Sequence, residues 1–221
     1  MPYTILDCAN AVQAIYKNRD FTGYQLMQGF YDPKNMAVGD QGYSVGVYRS
    51  QTTPGEIIIS MRGSAKGKTT KDWMDDDVSI AIGRTPDRAA DSLEYTLKIL
   101  ETYGNPPVII VGHSLGGWLA QYAGVVCDKP MISFNAPPAL GTFSKRLPDG
   151  TSAAGYRQGL NFRVNYDPVS KTPGKHVGPL VTLPLNGEKH ILAHTGKVVV
   201  KSVIASGLAH HNAMTEIAGR N

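Results

Sequence analysis

The sequence predicts an α/β domain with a mostly parallel central sheet and helices on both faces. Three observations carry that reading. Short β-branched runs, Ile57-Ile58-Ile59 and Val108-Ile109-Ile110-Val111, have the composition of strands buried on both sides. Such runs alternate along the chain with segments of helical period, which implies strands joined through helices. Third, Gly112-His113-Ser114-Leu115-Gly116-Gly117 stands where a strand gives way to a helix. At 221 residues, 42% of them hydrophobic, the chain suits a single domain spanning 1–221.

The elements follow in order. Ile5, Ala9, Val12 and Tyr16 form a helical stripe over residues 4–16. Residues 20–42, rich in Gly, Asp and Asn, read mostly as loop. Tyr43 to Tyr48 alternates like a strand, Thr53-Pro54-Gly55 turns the chain, and Glu56 to Arg62 is a second strand, apolar enough to be central. Residues 63–85 are polar and bear glycine. Thr85-Pro86 has the pattern of an N-cap followed by proline at the first helical position. That helix places Ala90, Leu93, Leu97 and Leu100 on its apolar face and ends at Gly104-Asn105-Pro106. Pro107 to Val111 is the strand before Ser114, and Trp118 to Ala123 reads as the helix after it. Met131 to Phe134 and Leu160 to Asn165 are further strands. Val181 to Leu185 and Ile191 to Thr195 pair in this reading as a hairpin. Val198 to Ile204 fits strand or helix equally, and residues 212–219 read as helix.

Several function classes lose support on composition. Net charge is +4 with a pI near 9.0. From Lys145 to Lys201 nine Lys/Arg face only Asp149, Asp167 and Glu188, a surplus suited to an anionic surface such as phospholipid headgroups or to plain solubility. Without aromatic-basic interleaving or zinc spacing, nucleic-acid binding has little support. No run reaches the length of a membrane span. The N-terminus, Met1 to Asp7, lacks a basic region and an apolar core, so no secretory signal is read there and a product cytoplasmic as synthesised is expected. Cys8 and Cys127 form no disulfide framework.

A Gly-x-Ser-x-Gly at a strand-to-helix corner is the context of a nucleophile elbow, and it makes the fold α/β-hydrolase-type. The turn forces Ser114 into a strained backbone region, and strand and helix pass too closely for side chains at Gly112 and Gly116. The helix N-terminus then aims the Leu115 N–H at a developing oxyanion. A serine needs a base, and the base needs an orienting carboxylate, in the chain order Ser, Asp, His. Asp167 follows a strand and precedes Pro168; Asp128 and Asp149 sit in turn-like settings with no strand delivering them. Among the histidines, His190 and His194 have a weak metal spacing with no carboxylate beside it, and read as satisfied or exposed. His210 and His211 precede the last helix, where a loop folds back onto the elbow. Ser64, at the end of a central strand, offers a second oxyanion donor.

In these pieces the chain resembles the class 3 lipases, the family of the fungal triacylglycerol lipases with bacterial and plant relatives. Ile58 to Ser64 resembles that family's Phe-Arg-Gly-Ser/Thr strand, and Asp72-Trp73 with Asp75 its Asp-Trp-x-x-Asp. The elbow, Ser133 to Pro137 and Arg163 to Val169 follow in the family's order, so the resemblance spans residues 43–177. It implies Ser114 as nucleophile, Asp167 as acid, Ser64 and Leu115 as the oxyanion hole, and the base in the last helix region. His211 is preferred over His210, because it leaves Ala213 and Ile217 at apolar helix positions. His176-Val177-Gly178 resembles a non-catalytic His-x-Gly. The family's His-x-Gly-Phe segment is replaced by Ile80 to Arg84, which leaves the acyl pocket undefined. Asp72, Asp75, Asp76 and Asp77 lack the spacing and loop glycine of a calcium site, and no metal or cofactor is expected.

The expected activity is serine carboxylester hydrolysis on lipid, as lipase or phospholipase A, through a Ser-His-Asp triad and an acyl-enzyme. The alternatives are a soluble esterase or thioesterase and a non-catalytic lipid-binding module. The expected partners are lipid or phospholipid and, peripherally, a membrane; no protein partner is indicated. Residues 65–83, with Gly67 and Gly83 as hinges, are expected to form a lid. A bacterial relative without a signal peptide is expected to be exported, if at all, by a signal-independent secretion system.

Overall fold

The computed structural model describes residues 3–30, 44–63, 85–143, 147–148 and 150–221. Ser64, the proposed lid at 65–83 and the Asp72-Trp73 segment lie outside the described residues. The strands are β1 (Tyr24–Phe30), β2 (Val45–Ser50), β3 (Ile57–Met61), β4 (Val108–His113), β5 (Met131–Phe134), β6 (Gly159–Val164) and β7 (Leu180–Leu183). Among the described residues they form one seven-stranded sheet in chain order. β1 and β2 run antiparallel, as do β2 and β3, and β3 through β7 are parallel. The helices are α1 (Ile5–Ala14), α2 (Thr85–Thr102), α3 (Leu115–Cys127), α4 (Leu140–Phe143), α5 (Gly196–Ala205) and α6 (Ala213–Arg220).

Period-two alternation divides each central strand between two cores. Ile58 of β3 and Ile109 of β4, paired in register, point to the face covered by α1, α5 and α6. Their neighbours Ile57, Ile59, Val108 and Ile110 point to the face covered by α2 and α3. Each such aliphatic side chain, removed fully from water, contributes about 1.5–3 kcal/mol. Helix α1 starts on a capping box. Thr4 Oγ1 accepts the Asp7 N–H at 3.1 Å, and Asp7 Oδ2 accepts the Thr4 N–H at 2.9 Å. Ser60 Oγ donates to Ala11 O at 3.1 Å and ties this helix to the sheet.

Three expectations need correction, and one open reading is decided. Residues 24–30, read as loop, form the edge strand β1. Its register slips between Leu26 and Gln28, and this bulge broke the alternation that sequence reading depends on. Second, α2 is rotated from its predicted face: Leu97 is 50% exposed, while Ala89, Ser92, Thr96 and Ile99 are buried. The buried hydroxyls bond back to their own helix, Ser92 to Ala89 O at 3.0 Å and Thr96 to Ser92 O at 2.7 Å, so they bear the dry side without loss. Third, the hairpin is absent; β7 pairs parallel with β6, and His190–Leu192 is a short 3₁₀ turn. Finally, the ambiguous stretch 198–204 lies within α5.

Candidate active site

The C-terminal edge of the parallel strands gathers the polar residues, as expected of an α/β sheet. Ser114 follows β4 with φ 58° and ψ −129°, a conformation that costs of order 1–3 kcal/mol and persists only where its surroundings impose it. They do so here. The Ser114 N–H donates to Phe134 O at 3.0 Å, and its carbonyl accepts from Gly117 and Trp118 to open α3. A Cβ on Gly112 would run into the Gly116 carbonyl, and one on Gly116 into that of Met61. Leu115 N–H lies in the first turn of α3, where amides have no intrahelical acceptor and carry the helix's positive end.

Asp167 is fully buried in the turn after β6. Its Oδ2 accepts the Ser170 N–H at 2.7 Å, and its Oδ1 lies 2.6 Å from His194 Nδ1. Burial alone would raise this carboxyl. The electrostatic pull of His194 and the hydrogen bonds from His194 and Ser170 outweigh it and hold the group below the usual carboxylate range. On the other side of the imidazole, His194 Nε2 lies 2.8 Å from Ser114 Oγ. A carboxylate can only accept, so Nδ1 carries the proton and Nε2 presents a lone pair to the serine hydroxyl. Ser114, His194 and Asp167 are thus one hydrogen-bonded line, 7%, 1% and 0% exposed.

Two side chains from the strand ends pin the backbone that carries the imidazole. Asn135, directly after β5, donates to Ala193 O at 2.8 Å and accepts the Val164 N–H at 2.7 Å. His113, the last residue of β4, places Nε2 2.6 Å from His194 O. Thr195 then caps α5 by accepting the Val198 N–H.

The preferred base, His211, is not at this position. Its carbonyl accepts the Ile5 N–H at 3.0 Å, which fixes it beside the first residue of α1. The site lies at the other end of that helix, where Tyr16 reaches His113. With a rise of about 1.5 Å per residue, the ten residues of α1 separate the two ends by about 15 Å. His211 is exposed and hydrogen-bonded to Glu216 at 2.8 Å. His210 beside it is exposed as well. His176 lines a cleft with Leu140, Tyr156 and Arg157, and burial lowers it to about 4. His190 is exposed and stacks on Tyr166.

Sequence reading therefore missed His194, and with it Asn135 and Tyr16. One signal was present. Had residues 180–183 been read as the next parallel strand, the loop after them would have belonged to the catalytic edge, and His194 is its last histidine before a Thr-capped helix.

This architecture is an α/β-hydrolase-type fold, shared with solved fungal lipases. A variant of MDLA from Penicillium cyclopium superposes with a TM-score of 0.52 at 15% identity, covering 83% of this chain and 77% of that one. A triacylglycerol lipase from Penicillium expansum gives 0.51 at 20% identity, with 81% and 79% covered. Nonglycosylated LIP2 lipase of Yarrowia lipolytica gives 0.51 at 16%, with 80% and 77% covered. The phospholipase-like profile described as the Tle-like phospholipase domain matches residues 12–171, so the chain belongs to that family. No curated protein sequence matches it. The class 3 lipase resemblance holds, and the protein is a carboxylic ester hydrolase of the lipase and phospholipase class.

Proposed function

We propose that the protein is a phospholipase A that uses Ser114 as nucleophile, His194 as general base and acid, and Asp167 to orient and stabilise the imidazolium. The observation that carries this reading is the line Ser114 Oγ, His194 Nε2, His194 Nδ1, Asp167 Oδ1, with contacts of 2.8 and 2.6 Å. Ser114 Oγ attacks the ester carbonyl as its proton passes to His194 Nε2. The tetrahedral oxyanion rests on the Leu115 N–H and on a second donor from Ser64. His194 returns the proton to the departing lysophospholipid oxygen, leaving an acyl-enzyme. Water, deprotonated by the same imidazole, then releases the fatty acid and restores the serine.

Two features favour phospholipid over triacylglycerol. One is the family's phospholipase-like character. The other is the basic surplus between Lys145 and Lys201, whose acidic partner Asp167 is buried and does not offset it at the surface. Tyr166 and His190 flank Asp167 and His194 in sequence. Their rings stack with centroids 3.9 Å apart, and Lys171 Nζ lies 5.3 Å from the Tyr166 centroid. An exposed aromatic pair with a cation suits peripheral contact with an anionic bilayer.

The test is incubation with phosphatidylglycerol and phosphatidylethanolamine vesicles and, separately, a triacylglycerol emulsion, with products identified by mass spectrometry. Wild type releases lysophospholipid and fatty acid, and Ser114→Ala releases neither. Hydrolysis of the emulsion alone overturns the phospholipid assignment. Undiminished hydrolysis by the variant overturns the nucleophile.

A further inference from the structure

Two arms of the site converge on one residue outside the triad. Tyr16, in the 3₁₀ turn that ends α1, places its hydroxyl 3.0 Å from His113 Nδ1, and the Gly63 N–H donates to the same oxygen at 3.1 Å. His113 in turn contacts the backbone carbonyl of His194 at 2.6 Å.

Donor chemistry fixes the direction of every bond. A carbonyl oxygen can only accept, so His113 Nε2 carries a proton and donates it to His194 O. The imidazole is shut away from water beside another histidine; burial first and the His194 ring second lower it to about 3, and it is neutral wherever an esterase works. With Nε2 protonated and the ring neutral, Nδ1 is the acceptor. The Tyr16 O–H must then donate to it, and the phenol oxygen's lone pair takes the Gly63 N–H. The chain runs Gly63 N–H to Tyr16, Tyr16 O–H to His113, His113 N–H to His194 O.

Gly63 lies two residues past the end of β3. A Cβ at Gly63 would lie 2.6 Å from the Tyr16 hydroxyl, 2.8 Å from His113 O and 3.0 Å from Ser114 Cβ, so this backbone is pressed against the elbow. Its N–H is committed to Tyr16. We infer that Tyr16 is a positioning residue for both arms at once, holding the backbone of the base through His113 and, through Gly63, the segment after β3 that is pressed against the elbow. The inference rests on the triad reading above.

Tyr16→Phe removes one oxygen and keeps the ring, so the fold is expected to survive; thermal unfolding checks this. Hydrolysis of para-nitrophenyl butyrate, a soluble probe that needs no membrane, reads kcat and KM separately. Displacing a catalytic group slightly is expected to lower kcat between about tenfold and a hundredfold with KM unchanged. In a His113→Ala background the arm to His194 is already cut, so the Tyr16 change should cost clearly less than it does alone. Wild-type kcat in folded Tyr16→Phe overturns the inference. So does a loss in KM alone, or an equal loss in both backgrounds. Ser114→Ala and His194→Ala are run beside it. If both lose turnover while Tyr16→Phe does not, only the positioning role falls. If both keep it, the triad reading falls and takes this inference with it.

Discussion

Two segments near the C-terminus are written in the same local grammar and end in different places. His194 is followed by the N-cap Thr195 and helix α5; His211 is followed by the N-cap Asn212 and helix α6. In both, the capping side chain accepts an N–H from the first turn. What separates them is tertiary. Ala193 and His194 are pinned to the strand ends by Asn135 and His113, whereas His211 is bonded to Ile5 at the far end of α1 and turned out to Glu216. Capping grammar locates a helix start; it says nothing about which end of the sheet that start faces.

The largest expected effect separates the two histidines directly. His194→Ala should match Ser114→Ala in lost turnover, on the order of 10⁴-fold or more, because the pair acts as a unit. His211→Ala should retain wild-type turnover, since it loses an exposed contact with Glu216. Steady-state kinetics on vesicles decides between them, and the opposite ranking would return the base to His211.

Asp167→Asn comes next. The amide would present the wrong hydrogen-bonding partner to His194, and a fall in kcat of about 10⁴ is expected with the fold retained. Asp167 also links stability to acid. Its folded value is depressed, so its contribution is complete above the ordinary value of 3.8 and is lost as pH falls through and below it. Urea unfolding at stepped pH should show that loss in wild type and not in Asp167→Asn.

Asn135→Ala should be milder in chemistry and costly in stability. It strands the buried Val164 N–H and Ala193 carbonyl, at about 1–3 kcal/mol for each unsatisfied group. Chemical denaturation measures the loss, and a value near zero would mean the pin is not needed to hold the base's loop.

The effect that is smallest at neutral pH concerns His113, whose contribution appears only in acid. Its folded value near 3 lies below its ordinary 6.5. The unfolded chain therefore takes up a proton that the folded one refuses, and stability falls as pH drops below 6.5 until about 3. The slope from this residue is about 1.4 kcal/mol per pH unit. His113→Gln should flatten the unfolding profile in that window, and an unchanged slope would contradict a buried neutral imidazole.

The sheet was legible where a strand is buried on both faces. β3 and β4 announce themselves by the apolar runs Ile57 to Ile59 and Val108 to Val111, β5 by Met131-Ile132, and the elbow by its glycines, whose close approach permits nothing larger. β1 was illegible because its bulge at Leu26/Gln28 destroys the period. The face of α2 was misread because Ser92 and Thr96 satisfy their hydroxyls within the helix, which makes polar residues core-compatible. At the site, Ser114 and Asp167 were legible from their positions after strands. His194 was not, because its place depends on β7, a four-residue strand read as one arm of a hairpin, whereas it pairs parallel with β6 and so sends the next loop to the same edge as Ser114 and Asp167. The roles of Tyr16 and Asn135 depend on contacts across 97 and 58 residues of chain, which no local pattern encodes.

The central claim, that Ser114 is activated by His194 and not by His211, is tested most directly by labelling with a serine-directed phosphonate followed by peptide mass spectrometry. The account predicts one adduct per chain on Ser114, formed at the wild-type rate in His211→Ala and severely slowed in His194→Ala. Rapid labelling of His194→Ala together with slow labelling of His211→Ala, or an adduct on another residue, would contradict it.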